Sequence, residues 1–587
     1  MFAKQEDHMK YSVWSRKVFT CLLICGTVVL FSDTLYTATI PPTTANSQIY
    51  IVGAGLAGMA TAVYAIQDAN IPGKNIHILE ELKVAGGALD GKGGAGNIPY
   101  AARGARLIDP DAHMAYRAWL TRIPSLDDQE EMDKLVGDTE ALKNYKVKKT
   151  LANELDDFWA THKLNSITRL VGKDQRRIDH YKFGLSIRDK WDLLKLISTS
   201  EDKYHDKRID EYFQPPFFKS NFWYMFSSIF GFQQWHSLTE MRRYLRNFFQ
   251  SLDTLSGLDK TGMNAKYDSY GAVVVPTVKW LRTQGVNFDM GCKVTDVDFK
   301  PTVDEKTVQK IHYIQDGIQK DITVNYDDFV FISIGSKTAD SREGSMHSAP
   351  LLERNKVDGA WTLWENMSKK QPGLGNPLHF TSSIDHSKFV VFNVTTKGKL
   401  MENLILNFTK NKRMGEQHMV IFPESGWNLI VHIPWQPFVR NQDKDTTIIM
   451  AYALKGDNNG DYVKKPMGDC TGEELLTEMC YQFGFMKELP EILKTSECSP
   501  FMLPYVTSMF LPRNQYDRPP VVPDRSTNLA LIGEYTEMPE DTVFMVSYST
   551  KTAQTAVYKL LHVNKELTPT YHGMYNIWNW IKVLYWL

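Results

Sequence analysis

Between Gln48 and Glu81 the chain carries one unit that narrows its fold more than any other stretch. Ile49-Tyr50-Ile51-Val52 is a short apolar run, residues 56–67 are Ala-rich and helix-like, and Ile76-His77-Ile78-Leu79 is a second apolar run. Continuous apolar strands joined through a helix predict neighbours in a parallel sheet covered on both faces. The turn leaving the first strand is Gly53-Ala54-Gly55-Leu56-Ala57-Gly58, a G-x-G-x-x-G sequence placed where a strand ends and a helix begins.

That context gives the turn a chemistry. Gly53 permits the tight turn, Gly55 lets backbone approach a pyrophosphate, and Gly58 allows helix and strand to pack closely. The helix N-terminus presents unpaired N–H groups to phosphate oxygens. Glu80 or Glu81, at the end of the second strand, accepts hydrogen bonds from ribose hydroxyls and disfavours a 2′-phosphate, which leaves FAD or NAD. Two features favour FAD. Gly86 and Gly87 follow the acidic strand end closely and can offer N–H groups to the pyrophosphate. Later, Ile532-Gly533-Glu534 ends an apolar run, and a helix is expected to start near Asp541–Val543, laying its N-terminus with Thr542 and Val543 against a flavin ring.

The remaining organisation follows from pattern and composition. Residues 1–47 read as a signal or membrane-anchor segment plus linker, 48–110 as FAD-binding segment 1, and 111–262 as a mainly helical substrate domain. Residues 263–340 read as FAD-binding segment 2, 341–525 as a mixed substrate domain, 526–562 as FAD-binding segment 3 and 563–587 as a tail. The expected fold is therefore α/β: a Rossmann-like FAD-binding sheet assembled from discontinuous segments, with inserted helical and mixed substrate-binding domains. Lys4, Lys10, Arg16 and Lys17 precede an uncharged run at 18–31 that Asp33 ends. The run is shorter than the ~20 residues of a membrane span and suits a signal peptide or signal anchor, hence the secretory pathway, the endoplasmic reticulum or a membrane. Sequons at Asn366, Asn393 and Asn407 are compatible with that route.

Composition excludes several classes. Lys and Arg total 67 against 68 Asp and Glu, for a net charge of −1, which argues against a nucleic-acid partner. Six cysteines in 587 residues, with no C-x-x-C pair, exclude a disulfide scaffold and a structural zinc site, and no metal is expected. An aromatic content of 12% suits a large apolar pocket and equally an aromatic-rich core.

Several longer motifs converge. Residues 78–91 (ILEELKVAGGALDG), 220–223 (SNFW), 234–244 (QWHSLTEMRRY), 461–467 (DYVKKPM), 470–474 (CTGEE), 541–544 (DTVF) and Tyr548-Ser549 resemble blocks of the FAD-dependent fatty-acid double-bond hydratases, the oleate hydratase or myosin-cross-reactive-antigen family. The resemblance runs in blocks from about residue 48 to 587. It implies addition of water across a cis double bond of an unsaturated fatty acid, with FAD required but not consumed by net redox change. It also implies a proton donor for one alkene carbon and a carboxylate that directs water to the other. Tyr224 matches the donor position, where a core or pocket-lining aromatic is the plainer reading.

Two departures stand out. The family pattern R-G-G-R-E is here Arg103-Gly104-Ala105-Arg106-Leu107, so leucine replaces the glutamate; Asp109, two positions on, is the nearest acid. Arg103 and Arg106 are candidate contacts for the cofactor. The carboxylate-anchoring stretch aligns with residues 431–438 (VHIPWQPF), leaving His432 and Gln436 as substrate-binding candidates, while Pro434 brings no side-chain donor. His432 is expected to pair with a carboxylate once protonated. His236, whose motif matches, is a packing histidine on the plainer reading. The expected partners are an unsaturated fatty acid, a membrane and a second copy in a homodimer. Loss of the glutamate keeps open a catalytically impaired FAD- and lipid-binding homologue, and the shared sheet keeps open a redox flavoenzyme acting on an apolar substrate.

Overall fold

The computed structural model describes residues 39–580 apart from 105–107, 109–111, 136–139, 141–144, 257–264, 303–304, 571–572 and 577. Five parallel strands form its central sheet, in the spatial order Leu529–Ile532, Phe329–Ser333, Ile49–Val52, Ile76–Glu80, Asn287–Met290. Ile49 stands opposite both Phe329 and Ile76, so the first strand of the chain is the centre of the sheet. Its neighbours come from three separated stretches, which is the α/β FAD-binding fold with discontinuous segments.

The helix Leu56–Gln67 explains why this sheet is buried. Every residue from Leu56 to Ala65 is buried, which is the pattern of a helix packed on all sides rather than on one stripe. Small side chains at Ala57, Ala60 and Ala62 let it lie close to the sheet on one side and to the helix Val546–Leu560 on the other.

The other regions pack around this unit. An eight-stranded mixed sheet runs in the order Arg342–Glu343, Ser496–Leu503, Phe389–Lys397, Thr446–Ala453, Leu429–Ile433, His418–Phe422, Leu170–Val171, Arg177–Ile178. Its last two strands come from the stretch read as mainly helical; Leu170 pairs with Ile421, and the strand has only two residues, too short to show a period of two. Helices Ile187–Ser198, Asn221–Phe230 and Leu238–Asn247 carry the aromatic core of that stretch. Glu240, with no exposed surface, meets Arg518 at 3.0 Å and Arg513 at 3.3 Å. Glu537 meets Arg513 at 2.6 Å and Arg243 at 2.8 Å. This buried network ties the helix Leu238–Asn247 to the segments flanking the last strand of the parallel sheet.

The apolar run at 18–31 lies outside the described residues. Among those described, no helix is long and apolar enough to cross a membrane. Of the three sequons, Asn393 is 1% exposed and donates its amide to the Ala102 carbonyl, so the folded chain does not present it.

Candidate functional site

The turns at the carboxyl ends of the central strands meet in one elongated cleft of about 1180 Å³, counted out to open solvent. At one end, Gly53 adopts φ +100°, a conformation glycine holds without strain. The helix that follows has Gly55 as its N-cap, and no side chain caps it. The first-turn N–H groups of Leu56 and Ala57 therefore face the cleft for lack of intrahelical partners. Gly86 donates to the Ala54 carbonyl at 2.9 Å, docking the second glycine loop on the first. A Cβ on Gly87 would stand 3.0 Å from the Gly55 Cα, so the two loops touch through backbone alone.

Two carboxylates close this end. Glu80 accepts the Ala54 N–H at 2.7 Å and the Leu82 N–H at 2.8 Å. Burial raises its pKa, against the lowering effect of those two bonds. Glu81 accepts the Gly359 N–H at 2.8 Å, and burial raises its pKa as well. Both line the cleft, so both alternatives for the ribose remain in place. Arg103 makes a two-pronged pair with Asp90, at 3.1 and 2.7 Å, and donates to the Gly87 and Thr338 carbonyls. It thus fixes the glycine loop to the opposite wall.

At the other end stand Gly335, Lys337, Gly533, Glu534 and Tyr535. Lys337 pairs with Glu534 at 2.6 Å and lies 4.2 Å from the Phe544 ring centre. The helix expected to start near Asp541–Val543 starts at Val546, with Met545 as an N-cap that offers no side-chain bond. The reason is Phe544, held at φ +71°, which interrupts the helical path. Val546 and Ser549 therefore reach the cleft where Thr542 and Val543 were expected. Thr542 donates its N–H to Asp541, and Val543 accepts the Tyr244 hydroxyl at 2.5 Å, so both brace the segment from behind. Gly58 does not line the cleft either; its Cβ position is 1.9 Å from the Gly53 carbonyl oxygen, the close packing its place in the fingerprint requires. Two helix N-termini without side-chain caps, facing backbone glycine loops and buried carboxylates in one elongated cleft, fit FAD.

Beyond Leu89, which lines both spaces, lies a second, much smaller cavity. Tyr100, Asp268, Tyr270, His432 and Phe438 surround it. Ile108, Ala265 and Tyr267 are shared with a narrow slot that has Tyr116, Leu120 and Leu155, with Glu154 and Lys266, on its walls.

The remaining candidates divide. Arg106, Leu107 and Asp109 lie outside the described residues. Tyr224 sits half-buried on the helix Asn221–Phe230 and lines neither the cleft nor the two smaller pockets beside it. Burial, then the Glu424 carboxylate, raises its pKa, so it stays protonated at neutral pH. His432 does reach the second cavity, but burial and then Arg169 lower its pKa to about 4. It is neutral at pH 7, which removes the expected charge pairing. Gln436 is committed elsewhere: its amide donates to the Ile448 carbonyl at 2.9 Å and accepts from Gln442 at 2.6 Å. His236 is fully buried, accepts the Gln233 N–H at 3.0 Å and has its pKa lowered by burial to about 3, a packing role.

Sequence reading passed over two groups. Arg169 is wholly buried, its Nε and Nη1 have no partner, and burial lowers its pKa to about 10. Asp268 is 6% exposed and faces the second cavity. Neither carries a local signal beyond its charge.

Comparison with known proteins agrees with this layout. The MCRA family model matches residues 46–558. An oleate hydratase of Streptococcus pyogenes serotype M49 (strain NZ131) is 33% identical over 553 residues, covering 92% of this chain and 89% of its own. A linoleate hydratase of Lactiplantibacillus plantarum is 28% identical over 569 residues, covering 90% of this chain and 96% of its own. Among solved structures, a fatty acid isomerase from P. acnes superposes with a TM-score of 0.41 at 12% identity, over 88% of this chain and 99% of that one. By the extent of that family match and the identity to the streptococcal hydratase, the chain belongs to the MCRA family.

Proposed function

We propose that the chain adds water across a cis double bond of an unsaturated fatty acid to give a hydroxy fatty acid, with FAD held in the elongated cleft. The observation that carries this reading is the match over residues 46–558 to a family whose relatives here are an oleate and a linoleate hydratase. The geometry supports it: the dinucleotide-shaped cleft adjoins a small polar cavity, which leads to a narrow slot with Ile108, Leu120, Leu151 and Leu155 on its walls. When bound, FAD supplies a planar charged wall to the site with no net redox change.

In this reading the Leu56, Ala57 and Gly87 amides hold the pyrophosphate, Glu80 or Glu81 the ribose, and the Val546 end of the closing helix the flavin; Gly86, expected to share the pyrophosphate, spends its N–H on the Ala54 carbonyl instead. Arg103 keeps the glycine loop in place. Tyr224 donates the proton to one alkene carbon; its raised pKa keeps that proton available. The second role, directing water, has no glutamate at position 107. That departure favours one other reading, a homologue that binds FAD and lipid without turnover.

The test is incubation of the purified chain with FAD, a reductant and a panel of unsaturated fatty acids in water enriched in heavy oxygen. A labelled hydroxy acid by mass spectrometry is the expected product. Binding of FAD and lipid with no product across chain lengths selects the non-catalytic reading.

A further inference from the structure

Asp268 precedes the turn and helix that span Tyr270–Thr283, and its two carboxylate oxygens face different ways. Oδ1 accepts the Gly271 N–H at 2.9 Å, an ordinary helix-capping bond. Oδ2 receives the Tyr100 hydroxyl at 3.3 Å and lies 3.1 Å from the Cβ position of Gly91, where any side chain would crowd it. No lysine or arginine is among the described residues lining the cavity that Asp268 faces. The other acid there, Asp90, is paired with Arg103 at 2.7 Å. A buried carboxylate with no cation among the described residues around it is costly to keep for structure alone, since an asparagine would cap the helix as well. Burial raises its pKa to about 6, against the lowering effect of the bonds from Gly271, Tyr100 and Tyr270. Such a group is ionised at pH 7 and basic enough to accept a proton.

We propose that Asp268 is the carboxylate that orients and deprotonates the attacking water, in place of the glutamate missing at position 107. The inference rests on the hydratase reading. The water oxygen bonds to one alkene carbon while its proton passes to Asp268 Oδ2. The π electron pair moves to the other carbon, which forms its C–H bond with the proton of the tyrosine donor. Asp268 then releases its proton to solvent and the phenolate takes one up, so the sum adds one water and nothing else.

The test compares holoenzyme of the native sequence with Asp268→Asn, which keeps the Oδ1 acceptor and removes the base. The labelled-water assay is run on oleic and linoleic acids from pH 5 to 8. Asp268→Asn is expected to lower kcat by roughly 10²–10⁴-fold, with KM, flavin absorbance and thermal midpoint unchanged. In the native chain kcat/KM is expected to fall below pH about 6 as Asp268 takes up its proton. Among the described residues, the ionisable groups facing Asp268 are Tyr100, just before the short strand Ala101–Ala102, Tyr267 and Tyr270 on its own segment, Asp90 with its partner Arg103, and His432 on the mixed sheet; Lys266 and Glu154 line the adjoining slot. Asp268→Asn within twofold of native kcat overturns the proposal and leaves the residue a helix cap. Should the variant lose FAD or unfold, a native profile that is flat from pH 5 to 8 overturns it equally. A native chain that hydrates nothing refutes both the function and this inference, whereas an active Asp268→Asn refutes the inference alone.

Discussion

Replacing Gly58 with alanine tests whether the fingerprint turn is held open for the cofactor by close helix packing. The added Cβ would stand 1.9 Å from the Gly53 carbonyl oxygen and 3.2 Å from Ile51 Cγ2, where ordinary contact begins at 3.4 Å. The gap must therefore widen by 3.4 − 1.9 Å, or about 1.5 Å. The obstacle is backbone, not the tip of a flexible side chain. Nor can the helix retreat freely, because it is buried from Leu56 to Ala65 between the sheet and the helix Val546–Leu560. Overpacking of this kind costs ~1–3 kcal/mol of stability, and a backbone clash belongs at the upper end. A displacement of that size also takes the Leu56 and Ala57 amides out of hydrogen-bond range of a pyrophosphate. Losing two bonds to a charged group, at ~1.5–3 kcal/mol each, weakens FAD binding by roughly 10²–10⁴-fold. Titration of the apo-protein with FAD, followed by flavin fluorescence, measures the second effect, and urea unfolding of the apo-protein the first. Gly58→Ala that binds FAD within threefold of the native chain and unfolds within ~0.5 kcal/mol of it would refute this packing argument.

Other outcomes follow from the same structure. Glu240→Gln leaves buried Arg518 without its carboxylate partner, while Arg513 keeps Glu537, and should cost ~3–5 kcal/mol in denaturant unfolding. Glu537 gives the pH dependence: burial alone would raise its pKa, but Arg243, Arg513 and Arg518 hold it down to about 2, from 4.5. Its stabilisation is complete above pH 4.5 and is lost as pH falls toward 2, about 3 kcal/mol over that window, and Glu537→Gln should flatten the acid limb of stability against pH. Arg103→Lys replaces a two-pronged donor with a point charge and should weaken FAD binding about tenfold in the same titration. Tyr224→Phe should lower hydration by roughly 10²–10⁴-fold with FAD affinity intact, and unchanged turnover would remove it from the donor role. We also propose that the run at 18–31 is a targeting signal: residues 1–47 fused to a reporter should deliver it to the endoplasmic reticulum or a membrane, and a reporter left in the cytosol would count against that reading.

What the sequence made legible was local. The strands at Ile49–Val52 and Ile76–Glu80 carry four- and five-residue apolar or acid-ended runs, and the structure places them side by side and parallel. The helix Gly472–Phe483 starts where Thr471 and Glu474 make a reciprocal capping box, a signal written in the sequence. The start of the closing helix was misplaced for a complementary reason. Asp541-Thr542 reads as a cap, but the positive φ of Phe544 is imposed by tertiary packing, with its ring beside Lys337 and Phe510. The two-residue strands at 170 and 177 were illegible, since their partners lie far along the chain and nothing in so short a run marks them.

The same division explains the site. Glycines announce themselves because a turn needs them at fixed offsets, so Gly53, Gly55, Gly86, Gly87 and Gly533 were all found and all line the cleft. Charged side chains announce nothing, because what matters is whether a partner arrives from elsewhere. Arg169 looks like any other arginine until the fold buries it beside His418 and His432 with two nitrogens unpaired. Burial first, and then the field of Arg169, makes His432 a poor cation, so the expected charge pairing failed through the depth of the site and a residue 263 positions away, 432 − 169, that no motif connects to it. Asp268 is the converse case: Oδ1 simply accepts the Gly271 N–H at the start of a helix. Only folding brings Tyr100 and Gly91 to Oδ2 and sets the carboxylate on a cavity wall with no lysine or arginine among its described lining residues. A motif can vouch for a backbone path, whereas the charge state of a side chain is settled by the contacts folding brings to it.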